Sequence, residues 1–192
     1  MKRAFIIHGW GGYPEEGWFP WLKNELEDRG FEISVPQMPN ADNPVIEKWV
    51  RYLAKIIKEP DDNTILIGHS VGCQTILRYL ETLPKSVKVD KIILVAPWMK
   101  LDSKTIEEEG QEVTEIARPW METPIDFELI KNKADKIAAV FSDNDPYVSI
   151  EDNRETFENK LSSEIIIEHN KGHFSGSDGI TELPSVLEAI IK

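Results

Sequence analysis

Basic residues are scarce relative to acidic ones in this chain. Over 192 residues, 22 Lys and Arg face 34 Asp and Glu, so 22 − 34 gives a formal net charge of −12. A surface of that sign repels polyphosphate and anionic headgroups, which argues against nucleic acid and membrane surfaces as partners. Cysteine is nearly absent. A lone Cys73 can neither close an internal disulfide nor furnish a structural zinc site, which fits a reducing, cytoplasmic setting. Long apolar runs are missing too, since no stretch approaches the roughly 18 apolar residues of a membrane span. The run at residues 4–7, behind Lys2 and Arg3, is far shorter than the roughly 7 to 15 residues of a signal core. Neither a phosphate loop nor a metal-ligand cluster is seen, so no cofactor and no metal are expected.

What the chain does contain is enough apolar material for one core: 41% hydrophobic residues, with 6 Trp and 7 Phe. Short runs rich in β-branched residues occur at 4–7, 32–35, 64–67, 92–96, 137–141 and 164–167. Most are near-continuous rather than alternating, as strands buried on both faces are. Helical spacing lies between them, in Trp18, Trp21, Leu22 and Leu26, in Val45, Trp49, Leu53 and Ile57, in Cys73, Ile76, Leu77 and Leu80, and in a terminal stretch through Leu187 and Ile190. Strands alternating with helices predict βαβ units. The expected fold is therefore a single-domain α/β protein, with about six mostly parallel strands, helices on both faces, and a small, partly helical cap insertion at 97–125.

The strongest motif is Gly68-His69-Ser70-Val71-Gly72, a G-x-S-x-G directly after one predicted strand and opening the next helix. The flanking glycines let a sharp strand-to-helix turn lift the Ser70 hydroxyl clear of its neighbours. With 11 Gly and 11 Ser in the chain, the bare pattern arises by chance only about 0.04 times, before its context is counted. A serine nucleophile needs a base, itself oriented by an acid. His173, in Gly172-His173-Phe174 after the last predicted strand, is the base candidate, with His8, His69 and His169 as competitors. For the acid, Asp145 gives the chain order Ser, Asp, His of the hydrolase elbow, while Asp143 and Asp102 stay open. The backbone N–H groups of Trp10 and Val71 are the candidate oxyanion hole. Trp98, Trp120 and Met121 are the candidate apolar pocket, whereas Cys73 reads as packing and Glu107 to Glu109 as a solvated face. Met38-Pro39-Asn40 reads as a loop, and Asp42-Asn43-Pro44 as the start of the next helix.

Taken together, His8-Gly9-Trp10-Gly11-Gly12, Trp18 to Leu22, Met38 to Asn40, the Ser70 elbow, Asp143 to Val148 and Gly172 to Phe174 resemble, in this order, the small serine hydrolases of the YdeN and retinoblastoma-binding serine hydrolase group. That resemblance implies a compact α/β-hydrolase with a Ser-Asp-His triad at Ser70, Asp145 and His173, the Asp-Pro pair selecting Asp145 over Asp143. It implies a small-molecule ester as substrate and leaves its identity open. An acyltransferase on the same triad and a non-catalytic binding protein on the hydrolase fold are the alternatives.

Overall fold

The computed structural model describes residues 1–192. Its elements run β1 (Arg3–Ile7), α1 (Phe19–Glu27), β2 (Glu32–Ser34), α2 (Ile46–Ile57), β3 (Thr64–His69), α3 (Val71–Thr82) and β4 (Val89–Val95). Then come α4 (Ser103–Glu109), α5 (Gln111–Glu122), α6 (Phe127–Ile130), β5 (Ala134–Ser142), α7 (Ile150–Glu155), a π-helical turn (Thr156–Lys160), β6 (Glu164–Glu168) and α8 (Pro184–Ile191). The strands form one six-stranded sheet in the order β2-β1-β3-β4-β5-β6, with every pairing parallel. The six predicted strands are all present, with ends shifted by a few residues.

The central strands carry near-continuous apolar runs because alternate residues enter two different cores, whereas the edge strand β2 has one apolar residue and β6 is flanked by Glu164 and Glu168. Leu66, Ile92, Leu94 and Phe141 face a larger core with Trp49 and Leu53 of α2 and Ile76 and Leu80 of α3. Ile65, Ile67, Ile93 and Val140 face a smaller one with Phe19 and Leu22 of α1 and Val186 and Ile190 of α8. The chain runs from β1 outward to β2, then returns across β1 to β3, so the order reverses beside β1. In open α/β sheets, ligands sit at the carboxyl ends of strands near such a reversal.

α3 is buried on every side from Val71 to Leu80, which forces its two long polar side chains to find partners indoors. Arg78 donates to the carbonyls of Trp120, Thr123 and Pro124 and to Gln74 Oε1, while Gln74 Nε2 donates to the Trp98 carbonyl at 3.0 Å. These bonds tie the end of α5 and the segment after β4 to the central helix. Within the segment expected as an insertion, α4 is capped by Asp102, whose side chain accepts from Thr105 N–H at 2.8 Å. α2 starts at Ile46 with no side-chain cap, so Asp42 does not cap it.

His69 ends β3 inside the smaller core, edge-on to Trp18 and Phe19. Its Nε2 lies 2.7 Å from the His173 carbonyl, which can only accept, so Nε2 carries the proton and Nδ1 is bare and unpartnered. Burial, reinforced by the neighbouring His173, pulls its pKa from 6.5 down to about 3. The folded state thus refuses a proton that the unfolded chain accepts below about pH 6.5. The contribution is fully present above pH 6.5 and is lost as pH falls toward 3, at about 1.4 kcal/mol per unit for one proton. Urea midpoints should therefore fall from pH 7 to 4. His69→Gln, which keeps an amide donor for the His173 carbonyl, should flatten that slope by nearly one proton. An unchanged slope in the variant would locate the acid sensitivity elsewhere.

Candidate active site

Ser70 sits between β3 and α3 with φ 52° and ψ −122°, a conformation that L-residues adopt only under constraint. The flanking glycines explain how the turn is possible. A Cβ on Gly68 would lie 2.7 Å from Cys73 N, and one on Gly72 would overlap the Ile7 carbonyl and lie 2.7 Å from that of His8. The elbow is held by Ser70 N–H donating to the Val95 carbonyl at 2.9 Å and by Cys73 N–H donating to the Ser70 carbonyl at 2.9 Å.

The structure brings Ser70, His173 and Asp145 together from the ends of three strands. His173 Nε2 lies 2.9 Å from Ser70 Oγ, and His173 Nδ1 lies 2.8 Å from Asp145 Oδ2. Because a carboxylate can only accept, Nδ1 bears the proton and Nε2 is free to take one from Ser70. Asp145 Oδ1 accepts the N–H groups of Tyr147 and Val148 at 2.9 and 3.0 Å, so the carboxylate cannot swing away. Its side chain is 1% exposed, and that of His173 is 16% exposed.

The other candidates for acid and base are placed elsewhere. Asp102 is the α4 cap. Asp143 accepts from His169 Nδ1 at 2.6 Å and from Asn170 N–H. His8 is buried, and its Nε2 accepts from Met38 N–H at 2.9 Å, so that nitrogen is unprotonated; burial lowers its pKa. Cys73 is buried with its S–H toward the Val95 carbonyl, and burial pushes its pKa up, which leaves it inert beside the serine.

The loop carrying His173 is fixed by residues that the sequence reading did not single out. Asp178 Oδ2 accepts from His173 N–H, Ser175 N–H and Ser175 Oγ, the last at 2.6 Å. Burial pushes the Asp178 pKa up, but the Ser175 and His173 bonds outweigh it and leave the group below its ordinary value. Trp18 Nε1 donates to the Phe174 carbonyl at 3.1 Å, and Asn144 Oδ1 accepts from Gly172 N–H at 2.8 Å. The visible signal was Ser175-Gly176-Ser177-Asp178, a spacing at which side chains close a local turn.

Above Ser70 lies a cavity of about 320 Å³ that includes Trp10, Trp98, Leu101, Ile106, Val113 and Tyr147 in its wall, with the carboxylates of Glu16 and Glu109 also lining it. Trp98 therefore lines the cavity, whereas Trp120 and Met121 do not. Trp120 is buried between α2 and α3, where it meets Trp49 edge-on and donates Nε1 to the Pro44 carbonyl at 3.0 Å. Met121 packs against the same core. α5 points its first turn, with Val113, at the cavity, and seven residues later, about 10 Å along the axis, its inner face has entered the core. Glu107 to Glu109 are exposed, as a solvated face is, and Glu109 also reaches the cavity wall, where it accepts from Tyr147 Oη at 3.1 Å.

The Trp10 N–H has no partner within the chain, its ring Nε1 being engaged with the Asp42 carbonyl at 2.9 Å. Val71 opens α3, where the first N–H groups have no intrahelical acceptor. No group of three or more His, Cys, Asp or Glu side chains gathers in a metal-holding arrangement, and no helix is long and apolar enough to cross a membrane.

Comparison with known proteins agrees with this architecture. The chain is 29% identical over 189 residues to the YdeN protein of Bacillus subtilis (strain 168), covering 98% of this chain and 94% of that one. The crystal structure of the B. subtilis ydeN gene product superposes with a TM-score of 0.88 at 28% identity, covering 100% and 97% of the two chains. The serine hydrolase RBBP9 of Rattus norvegicus is 27% identical over 192 residues, covering 98% and 95%. Est1E of Butyrivibrio proteoclasticus, in a ferulic acid-bound form, shares the fold alone, with a TM-score of 0.70 at 14% identity and coverage of 100% and 90%. The serine hydrolase family model matches residues 4–192, and the chain belongs to that family of α/β-hydrolases.

Proposed function

We propose that the chain is a carboxylesterase-like hydrolase that cleaves small esters through an acyl-enzyme on Ser70. The observation that carries this reading is the unbroken hydrogen-bonded relay from Asp145 through His173 to Ser70 Oγ. His173 Nε2 takes the Ser70 proton while Oγ bonds to the ester carbon and the carbonyl π electrons move onto oxygen. The N–H groups of Trp10 and Val71 receive that oxyanion. As the tetrahedral intermediate collapses, the C–O bond to the alcohol breaks and His173 returns its proton to the departing oxygen. Water then attacks the acyl carbon, giving its proton to His173. The bond to Oγ breaks, and the proton passes back to Ser70. Asp145 holds the imidazole in the tautomer this needs and stabilises its charged form without taking a proton.

Ser70→Ala should abolish labelling by a fluorophosphonate probe while the protein stays folded. Stoichiometric labelling of that variant would remove Ser70 from the mechanism. Asp145→Asn should lower turnover by about 10⁴-fold, because an amide at this place favours the wrong imidazole tautomer. Asp102→Asn, which keeps a capping acceptor on α4, should leave turnover nearly unchanged. The reverse pattern, crippling at Asp102 and silence at Asp145, would move the acid to the end of β4.

Substrate size and charge follow from the cavity. At about 320 Å³ it lies near the lower end of ligand cavities. Its two carboxylates raise the local cost of an anionic acyl group, softened by screening over about 8 Å. kcat/KM for p-nitrophenyl acetate or butyrate should exceed that for the palmitate ester and for acyl groups ending in a carboxylate. A tenfold preference for palmitate or for the anionic esters would show that the α4–α5 segment opens a larger cleft and governs specificity.

A further inference from the structure

Trp98 does more than line the cavity. Its indole Nε1 lies 3.2 Å from Ser70 Oγ, the same oxygen that stands 2.9 Å from His173 Nε2. Both bonds can form together only one way. Ser70 gives its single proton to His173, and an Oγ lone pair accepts from the indole. Four other tryptophans, Trp10, Trp18, Trp49 and Trp120, donate their indole N–H to main-chain carbonyls. Trp98 alone donates to a side chain, and that side chain is the nucleophile.

The donor is also held in place from behind. The residue is 1% exposed, so water does not compete for the N–H. Its carbonyl accepts from Gln74, which Arg78 fixes, and the next two N–H groups, of Met99 and Lys100, both donate to Asn153 Oδ1 at 2.8 and 3.0 Å. Asn153 is fully buried.

We infer that Trp98 is a catalytic residue of the proposed esterase, its indole N–H stabilising the charge on Ser70 Oγ as that oxygen loses its proton to His173 in acylation and again as it leaves the acyl carbon in deacylation. The inference rests on the Ser70 acyl-enzyme reading. It adds a donor aimed at the nucleophile's own oxygen, distinct from the N–H groups that face the substrate's carbonyl oxygen. No proton leaves the indole; it donates a hydrogen bond throughout.

The test is to replace Trp98 by 3-benzothienylalanine, which keeps the bicyclic ring and puts sulfur where the N–H was, alongside Trp98→Phe. Fluorophosphonate labelling of the parent at Ser70 comes first. If the parent is not labelled, the acyl-enzyme reading fails and this inference falls with it. With a labelled parent, burst kinetics on p-nitrophenyl acetate separate acylation from deacylation. Both steps should slow by about tenfold or more in the benzothienyl protein, as loss of one donor to a developing charge predicts, with substrate affinity and the thermal midpoint unchanged. Parent rates in the benzothienyl protein, with a loss confined to Trp98→Phe, would show that the ring acts by shape and overturn the inference. In the unsubstituted protein the Trp98 indole N–H proton resonance should move when Ser70 is phosphonylated. A resonance that stays put would overturn it as well.

Discussion

The whole candidate site of this molecule depends on how closely α3 approaches β1. Gly72 lies so near the Ile7 and His8 carbonyls that no side chain fits, and Gly68 is pressed just as tightly against Cys73. That contact leaves Ser70 at φ 52°, between the strand that ends beneath it and the helix that begins beyond it. A freer helix could retreat and relax the serine. This one cannot, because Val71 to Leu80 are buried all round, and each buried Leu or Ile side chain contributes about 1.5–3 kcal/mol to keeping the helix seated. Packing in the larger core thus holds Ser70, the proposed nucleophile, in a conformation it would not choose.

The second requirement is that His173 be both exposed enough to act and fixed enough to aim. Its loop meets this with main-chain bonds rather than with bulk. The His173 N–H goes to Asp178, its carbonyl to His69, and the next carbonyl to Trp18. Each partner comes from a different part of the chain, so the imidazole is located by the smaller core, by its own loop and by α1's approach. His69 serves here only because it is neutral. A protonated imidazole 5.1 Å from the His173 ring would oppose the His173 imidazolium of the proposed mechanism. Burial, which makes His69 costly at low pH, is also what keeps it a silent donor at neutral pH.

Much of this was legible in the sequence, for reasons that can be named. The six strands showed because burial on both faces writes β-branched runs, and the elbow showed because close backbone approach writes glycine at two fixed positions. Asp145 and His173, which the structure brings together with Ser70, were candidates through chain order and through the Asp-Pro and Gly-His-Phe contexts of the family resemblance. The misses share a different character. Trp120 and Met121 belong to α5, whose phase relative to the cavity is tied to Arg78 binding the carbonyls of Trp120, Thr123 and Pro124, a long-range contact with no local signature. Glu109 is exposed as expected, but its bond to the Tyr147 hydroxyl, 38 residues away, has no local signature either. Asn144 acts on a main-chain N–H 28 residues away, which no residue pattern reports, whereas the turn closed by Asp178 has a local signature in Ser175 to Asp178 that says nothing of its bond to the His173 N–H.

The distribution of strain shows where the stability of the core is used. Ser70, Ala96 and Phe174 all have positive φ without being glycine, and they follow β3, β4 and β6 at the same edge of the sheet. At about 1–3 kcal/mol each, the three together cost an amount comparable to the whole net stability of an ordinary domain, about 5–15 kcal/mol. They persist because each is over-determined by hydrogen bonds. Ser70 and Ala96 donate N–H to the Val95 and Val140 carbonyls, and Phe174 donates to Lys171 while accepting from Trp18. Relaxing Ser70 would turn Oγ away from His173, relaxing Phe174 would shift the loop that carries His173, and relaxing Ala96 would withdraw the segment that carries Trp98. Lys58 and Ser162 also have positive φ, so strain is not confined to this edge, but these three positions are the ones that set Ser70 and the two groups bonded to its Oγ, His173 and Trp98.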